Sequence, residues 1–158
     1  MSFPQVEGAR SHANFHTDFP YTIPATPLAG ALLLAFIGSV PPDTAGTLAV
    51  AGSHSLVTRF IEAKPHLKKA KMKVTRRAVL ASDPYLKSLC CTWTEQDWVA
   101  ELPSTEQAVS GIQLRVVELT GEPGDVVIGH PWLLHSPAPN RGNTPRFMSV
   151  QRIRLTKG

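Results

Sequence analysis

The residues best suited to chemistry stand at His16-Thr17-Asp18, near the start of a chain of 158 residues. On an extended strand, positions i and i+2 point to one face, so an imidazole and a carboxylate would project side by side. Two histidines and one carboxylate on one face of an octahedral metal make the facial triad of non-haem iron sites, which leaves adjacent positions open. A His-x-Asp alone also fits a surface turn or a core pair, so a distant residue must complete the set. Two candidates stand in GHPWLLHSPAPN, His130 and His135. They are five residues apart, and an odd spacing on a regular strand aims them at opposite faces. Both are therefore not expected on one metal. His130 reads as a hydrogen-bonded structural histidine where Pro131 disturbs a strand start. His135 ends the apolar run Trp132-Leu133-Leu134, at a strand end that opens into a turn. Arg146 comes eleven residues after His135, where a hairpin would return the chain beside that histidine. Its guanidinium could grip a carboxylate with two parallel hydrogen bonds, or simply flank the turn as Arg141 does. The HANFH run from His12 to His16 lacks the glutamate of a zinc-hydrolase helix.

The elements that would position these groups are mostly strands. Gly30 to Val40 reads as a buried strand, and Gly46 to Ala51 as another. Ile112 to Leu119 alternates apolar and polar residues as a half-buried strand does. Val126 to Ile128 begins a strand that Pro131 breaks and that resumes to His135. Arg146 to Leu155 is the last strand, expected to pair with it as a hairpin. Residues 56–71 and 83–91 read as helical, with Pro65 disturbing the first. Trp93 to Leu102 fits neither pattern cleanly. Many short strands separated by Gly/Pro turns predict a mainly β sandwich or barrel, closed as a jelly roll, with a basic helical insert.

Composition narrows the class. Hydrophobic residues make up 42% and charged residues 18%, which excludes a disordered chain. The length suits a single domain over residues 1–158 with one core. The apolar stretch Leu28 to Val40 is too short to span a bilayer, and no signal peptide is visible, so no membrane partner is expected. Cys90 and Cys91 are neighbours and imply no disulfide framework, which predicts a reducing, cytoplasmic setting. The net charge is +4, with much of the excess in Lys64 to Arg77. That segment reads as a solvated helix face, or as a site for an acidic substrate or carrier. Nucleic acid is not expected, because aromatic residues do not interleave with the charges.

Taken together, HTD at His16 to Asp18, GTLAVAGSH at Gly46 to His54 and GDVVIGHPWLLHSPAPNRGNTPR at Gly124 to Arg146 resemble the phytanoyl-CoA dioxygenase family of Fe(II)/2-oxoglutarate oxygenases. The last piece carries most of the likeness, with the distal histidine, an asparagine five residues on and an arginine eleven on. Ala51 stands where the family usually has the proline of Pro-Gly-Ser-His. The stretch from Phe60 to Gly111 has no counterpart in the likeness.

The resemblance implies a double-stranded β-helix, that is, a cupin-like jelly-roll core. It implies Fe(II) on His16, Asp18 and His135, 2-oxoglutarate and O2 as co-substrates, and Arg146 on the far carboxylate of the keto-acid. Thr47 falls where related enzymes place a hydroxyl near the co-substrate, and Asn14 where some place an amide. Both also have ordinary readings, as a strand residue and a loop residue. Pro137 replaces a serine contact found in some members, and His54 falls near the site or serves in capping or packing. Asp18 argues for a hydroxylase, because halogenating relatives carry a small residue there. The implied reaction is hydroxylation of a small organic substrate, with release of succinate and CO2. Family members usually have a longer N-terminal portion than the fifteen residues before His16, so uncovered edge strands favour a homodimer. Two other functions fit the same residues: a non-catalytic keto-acid-binding module, and a cupin-like metal enzyme, such as an isomerase, without 2-oxoglutarate.

Overall fold

The computed structural model describes residues 11–12, 14–22, 28–89, 92–93 and 106–155. In chain order these form β1 (Ser11–His12), β2 (Gly30–Phe36), β3 (Thr47–Ala51), α1 (Ser53–Ala63), a 3-10 helix (Pro65–Lys69), α2 (Met72–Leu80), α3 (Pro84–Ser88), β4 (Thr92–Trp93), β5 (Glu106–Val109), β6 (Ile112–Leu119), β7 (Val126–Gly129), β8 (His135–Pro137) and β9 (Met148–Arg154). The architecture is mainly β. A four-stranded antiparallel sheet has the order β5-β6-β3-β8, a three-stranded one has β7-β2-β9, and β1 pairs with β4.

Strand β2 has the alternation its sequence requires: Gly30, Leu32, Leu34 and Phe36 are buried, and the residues between them are half-buried. Its register with β9 places Leu32 opposite Arg152, Leu34 opposite Val150 and Phe36 opposite Met148. Directly opposed residues share a face, so Met148, Val150 and Arg152 project inward. Strand β3 is covered on both sides, with Thr47, Leu48, Ala49 and Val50 all buried. The helical insert explains this, since Val57, Ile61, Leu67, Val79 and Leu86 join Leu48, Val50, Leu114 and Val116 in one apolar cluster. Gly52 makes the strand-to-helix corner. Its φ is +83°, and a Cβ there would collide with the Gln113 carbonyl oxygen.

Several expected elements differ. The strand from Gly30 stops at Phe36, because residues 37–38 bend before the Pro42-Asp43 turn. The first helix begins at Ser53 and ends at Ala63; Pro65 turns the next residues into a 3-10 helix, and α2 and β5 lie outside the expected elements. Helix α3 covers Pro84–Ser88, and most of Trp93 to Leu102 lies outside the described residues. The expected hairpin does not form among the described residues. Strand β8 pairs with β3 in the four-stranded sheet, whereas β9 pairs with β2 in the other. The chain crosses between sheets after the turn instead of folding back, and Arg146 approaches His135 from the opposite wall. Among the described residues no helix is long and apolar enough to cross a membrane.

Candidate metal centre

His16 and His135 meet as an isolated antiparallel bridge, each backbone N–H donating to the other's carbonyl at 2.9 Å. That pairing sets the two rings side by side, with centroids 4.5 Å apart. Asp18, two residues from His16, completes the group. One ligand atom from each of His16, Asp18 and His135 lies within 4.8 Å of the others. The residue between them faces the other way: Thr17 is buried, and its hydroxyl donates to the Tyr21 hydroxyl at 3.0 Å. Tyr21 in turn packs against Trp132, whose indole N–H donates to the Pro20 carbonyl at 3.4 Å. The segment carrying His16 and Asp18 is thus held to the one leading into His135.

The orientation of both imidazoles is fixed by backbone. His16 Nδ1 lies 2.6 Å from the Asn14 carbonyl, and His135 Nδ1 lies 3.0 Å from the Leu133 carbonyl. A carbonyl only accepts, so each Nδ1 carries the proton and each neutral ring keeps its Nε2 lone pair. Those lone pairs face Asp18, at 3.8 Å from Oδ1 for His16 and 3.6 Å from Oδ2 for His135. Two lone pairs and a carboxylate converge without a proton between them. A proton or a metal cation is what relieves that concentration of negative potential.

Electrostatics follow from this crowding. The His135 ring beside Asp18, and then Arg152, hold its carboxyl down to about 2 against the opposing effect of burial. The His135 effect belongs to the state in which a proton bridges ring and carboxylate, the same position that a metal cation could take. Burial lowers the pKa of His16; the Asn14 carbonyl and Asp18 oppose that, and His135 and Arg76 add to it. The ring is thereby kept in its neutral, ligating form.

The group opens onto a cleft of about 290 Å³ lined from both sheets, by Leu34, Val150 and Arg152 on one wall and Thr47, His135 and Pro137 on the other, with Arg146 between. Arg146 Nη1 donates to Thr47 Oγ1 at 3.3 Å and contacts Met148 Sδ at 2.9 Å. Its Nε is buried with no hydrogen-bond partner, and among the described residues no carboxylate forms an ion pair with it. Burial lowers its pKa, and Glu118 partly restores it. A half-buried guanidinium with an orphaned donor has the chemistry to accept an anionic partner.

The remaining expected residues fall elsewhere. Asn14 does not line the cleft. Its side chain is exposed, and it serves through its backbone, accepting from His16 and donating its N–H to Ser136 Oγ at 2.9 Å. His54 and His130 stack on each other with centroids 4.9 Å apart and do not belong to the cluster. His130 and His135 are also not on one strand, because residues 130–134 form an irregular turn. Their separation therefore comes from the turn and not from strand alternation. Arg152 escaped the sequence reading, yet its Nη2 donates to Asp18 Oδ1 at 3.1 Å. The available signal was its even spacing, six residues from Arg146 along one strand direction. Comparison of the chain with family models, curated proteins and solved structures returns no match.

Proposed function

We propose that the chain is an Fe(II)- and 2-oxoglutarate-dependent oxygenase that hydroxylates a small organic substrate from a jelly-roll core. The observation that carries this reading is the pairing of two features in one cleft: two Nε2 lone pairs aimed at one carboxylate, and a guanidinium with a buried, unpartnered Nε. The jelly-roll reading is supported by the strand order. Along the chain β2 lies in one sheet, β3, β5 and β6 lie in the other, and β7, β8 and β9 then cross between the two in turn, which fits a double-stranded β-helix.

The donor set fits ferrous iron, with His16, Asp18 and His135 as ligands and three positions left open. When bound there with the keto-acid, iron supplies O2 activation coupled to decarboxylation of 2-oxoglutarate to succinate and CO2. The chain's own residues then act by binding and orientation. Arg146 holds the far carboxylate of the co-substrate, and Thr47 fixes the guanidinium that does so. Leu34, Pro137 and Val150 supply apolar walls beside that pairing. The Asn14 and Leu133 carbonyls keep both imidazoles in the ligating tautomer.

Anaerobic titration of the folded protein with Fe(II) and then 2-oxoglutarate tests this reading. A weak visible charge-transfer band is expected on addition of the keto-acid. A folded protein that gives no band speaks against it. Succinate formed under air separates an oxygenase from a module that only binds.

A further inference from the structure

Arg152 is the second guanidinium of the cleft, and the co-substrate leaves it a separate task. It projects from the inward face of β9, opposite the buried Leu32. Among the described residues Asp18 is its one hydrogen-bond partner, through Nη2 alone, and its side chain is 60% exposed. A guanidinium has five N–H donors, so most of its capacity is left open to solvent or a ligand. The charge balance sharpens this. A divalent metal and one carboxylate leave a single positive charge, Arg146 adds a second, and a keto-diacid dianion cancels both. Arg152 then shares Asp18 with the metal and keeps its own charge uncompensated. Arg154 comes two residues later on the same face of β9, and Arg76 of α2 acts electrostatically on His16. The surroundings of the cleft mouth are therefore cationic, whereas Leu34, Val150 and Pro137 leave its walls apolar.

From this placement we infer that Arg152 is the specificity-determining anchor for an anionic group on the primary substrate, which is an amphipathic organic acid with an apolar body. The inference rests on the proposed oxygenase reading for the metal and keto-acid, but the Arg152 site is separable from both. The fork geometry of a guanidinium suits a carboxylate, which accepts two parallel N–H bonds while Asp18 keeps the third.

The test uses the full chain loaded with Zn(II) and saturated with N-oxalylglycine, an unreactive keto-acid mimic. Hexanoate and hexan-1-ol are titrated in parallel, with amide chemical shifts as the readout. Hexanoate is expected to bind about tenfold more tightly than hexan-1-ol, as one charge-assisted contact at a partly solvated site would give. R152Q should abolish that preference when Zn(II) and N-oxalylglycine are both held at saturating concentration, because uncharged Gln keeps a donor for Asp18 but no charge for the acid. R152K should restore part of the preference. Equal binding of acid and alcohol to the wild type, or an unchanged preference in R152Q, overturns the inference. Loss of Zn(II) from R152Q also overturns it, making Arg152 a positioning residue for Asp18. Should N-oxalylglycine fail to bind while the acid preference persists and vanishes in R152Q, the anchor stands and the keto-acid reading falls.

Discussion

The His16–His135 and His54–His130 pairs have nearly the same ring separation, 4.5 and 4.9 Å, in different surroundings. In the first, backbone carbonyls take the Nδ1 protons and leave Nε2 free toward a carboxylate. In the second, the Trp132 backbone N–H donates to His130 Nδ1 at 3.1 Å, so that lone pair is spent and the neutral ring carries its proton on Nε2. Burial, and secondarily His54, lowers the His130 pKa, and no carboxylate joins that pair among the described residues capable of holding a metal. Ring proximity is common to both. What separates a ligating pair from a packed one is which backbone group touches Nδ1 and whether an acid stands opposite.

The strongest way to break the comparison is to remove the acid. Asp18→Ala should weaken Co(II) binding, followed by visible absorption, by about a hundredfold or more, since even outer partners of metal ligands cost roughly tenfold to a hundredfold. His135→Ala should do the same. Retention of wild-type Co(II) affinity in either variant would place the metal elsewhere. The next effect concerns the anion. Arg146→Met should weaken N-oxalylglycine binding to the Zn(II)-loaded protein by roughly tenfold to a hundredfold, the worth of a paired charged contact. The same substitution removes a partly buried charge that forms no ion pair among the described residues, so the ligand-free chain should melt at the same temperature or higher. A lowered melting point with unchanged affinity would make Arg146 a structural residue.

The sequence carried half of this site directly. His16 and Asp18 were legible because an i, i+2 spacing survives even where the strand shrinks to a single bridge. The choice of His135 over His130 was not legible from alternation, because the two are separated by a turn and their directions are set by long-range partners, His16 for one and His54 for the other. A hairpin would bring Arg146 beside His135 from the same sheet. It arrives instead from the opposite sheet, since pairing of β9 with β2 is a contact more than a hundred residues apart that no local pattern encodes. The helices of the basic segment were partly legible, but Thr75 is buried in α2 with its hydroxyl on the Leu67 carbonyl, a tie that charge pattern alone conceals.

A smaller effect sharpens the comparison through pH. Asp18 is held at about 2 in the folded chain against an ordinary value of 3.8, so its ionised form favours folding. A depressed carboxyl contributes stability that is complete above the ordinary value and is lost as pH falls through the folded one. Solvent reaches the site past the exposed Arg152, so the contribution is about 1 kcal/mol and not the full value of the shift. Denaturant unfolding of the metal-free chain between about pH 5 and pH 2 should show this loss, and Asp18→Asn should remove about 1 kcal/mol of the dependence. A parallel pH profile for the two proteins would mean that Asp18 is not electrostatically coupled to its neighbours.

The smallest expected effect belongs to the second pair, and it is the one that isolates the cause. His130→Gln preserves an acceptor for the Trp132 N–H, because the amide oxygen can replace Nδ1, while it deletes the ring stacked on His54. If ligation depends on tautomer and acid, and not on paired rings, Co(II) affinity should stay within about twofold of wild type, a change of under half a kcal/mol. The loop from 130 to 134 still delivers His135, since Leu134 is tied to Ser53 Oγ at 2.9 Å and to Val50 through its carbonyl, neither of which involves His130. A tenfold loss in this variant would show that the turn, and with it the His54–His130 stack, sets the aim of His135, and the two pairs would then be parts of one device.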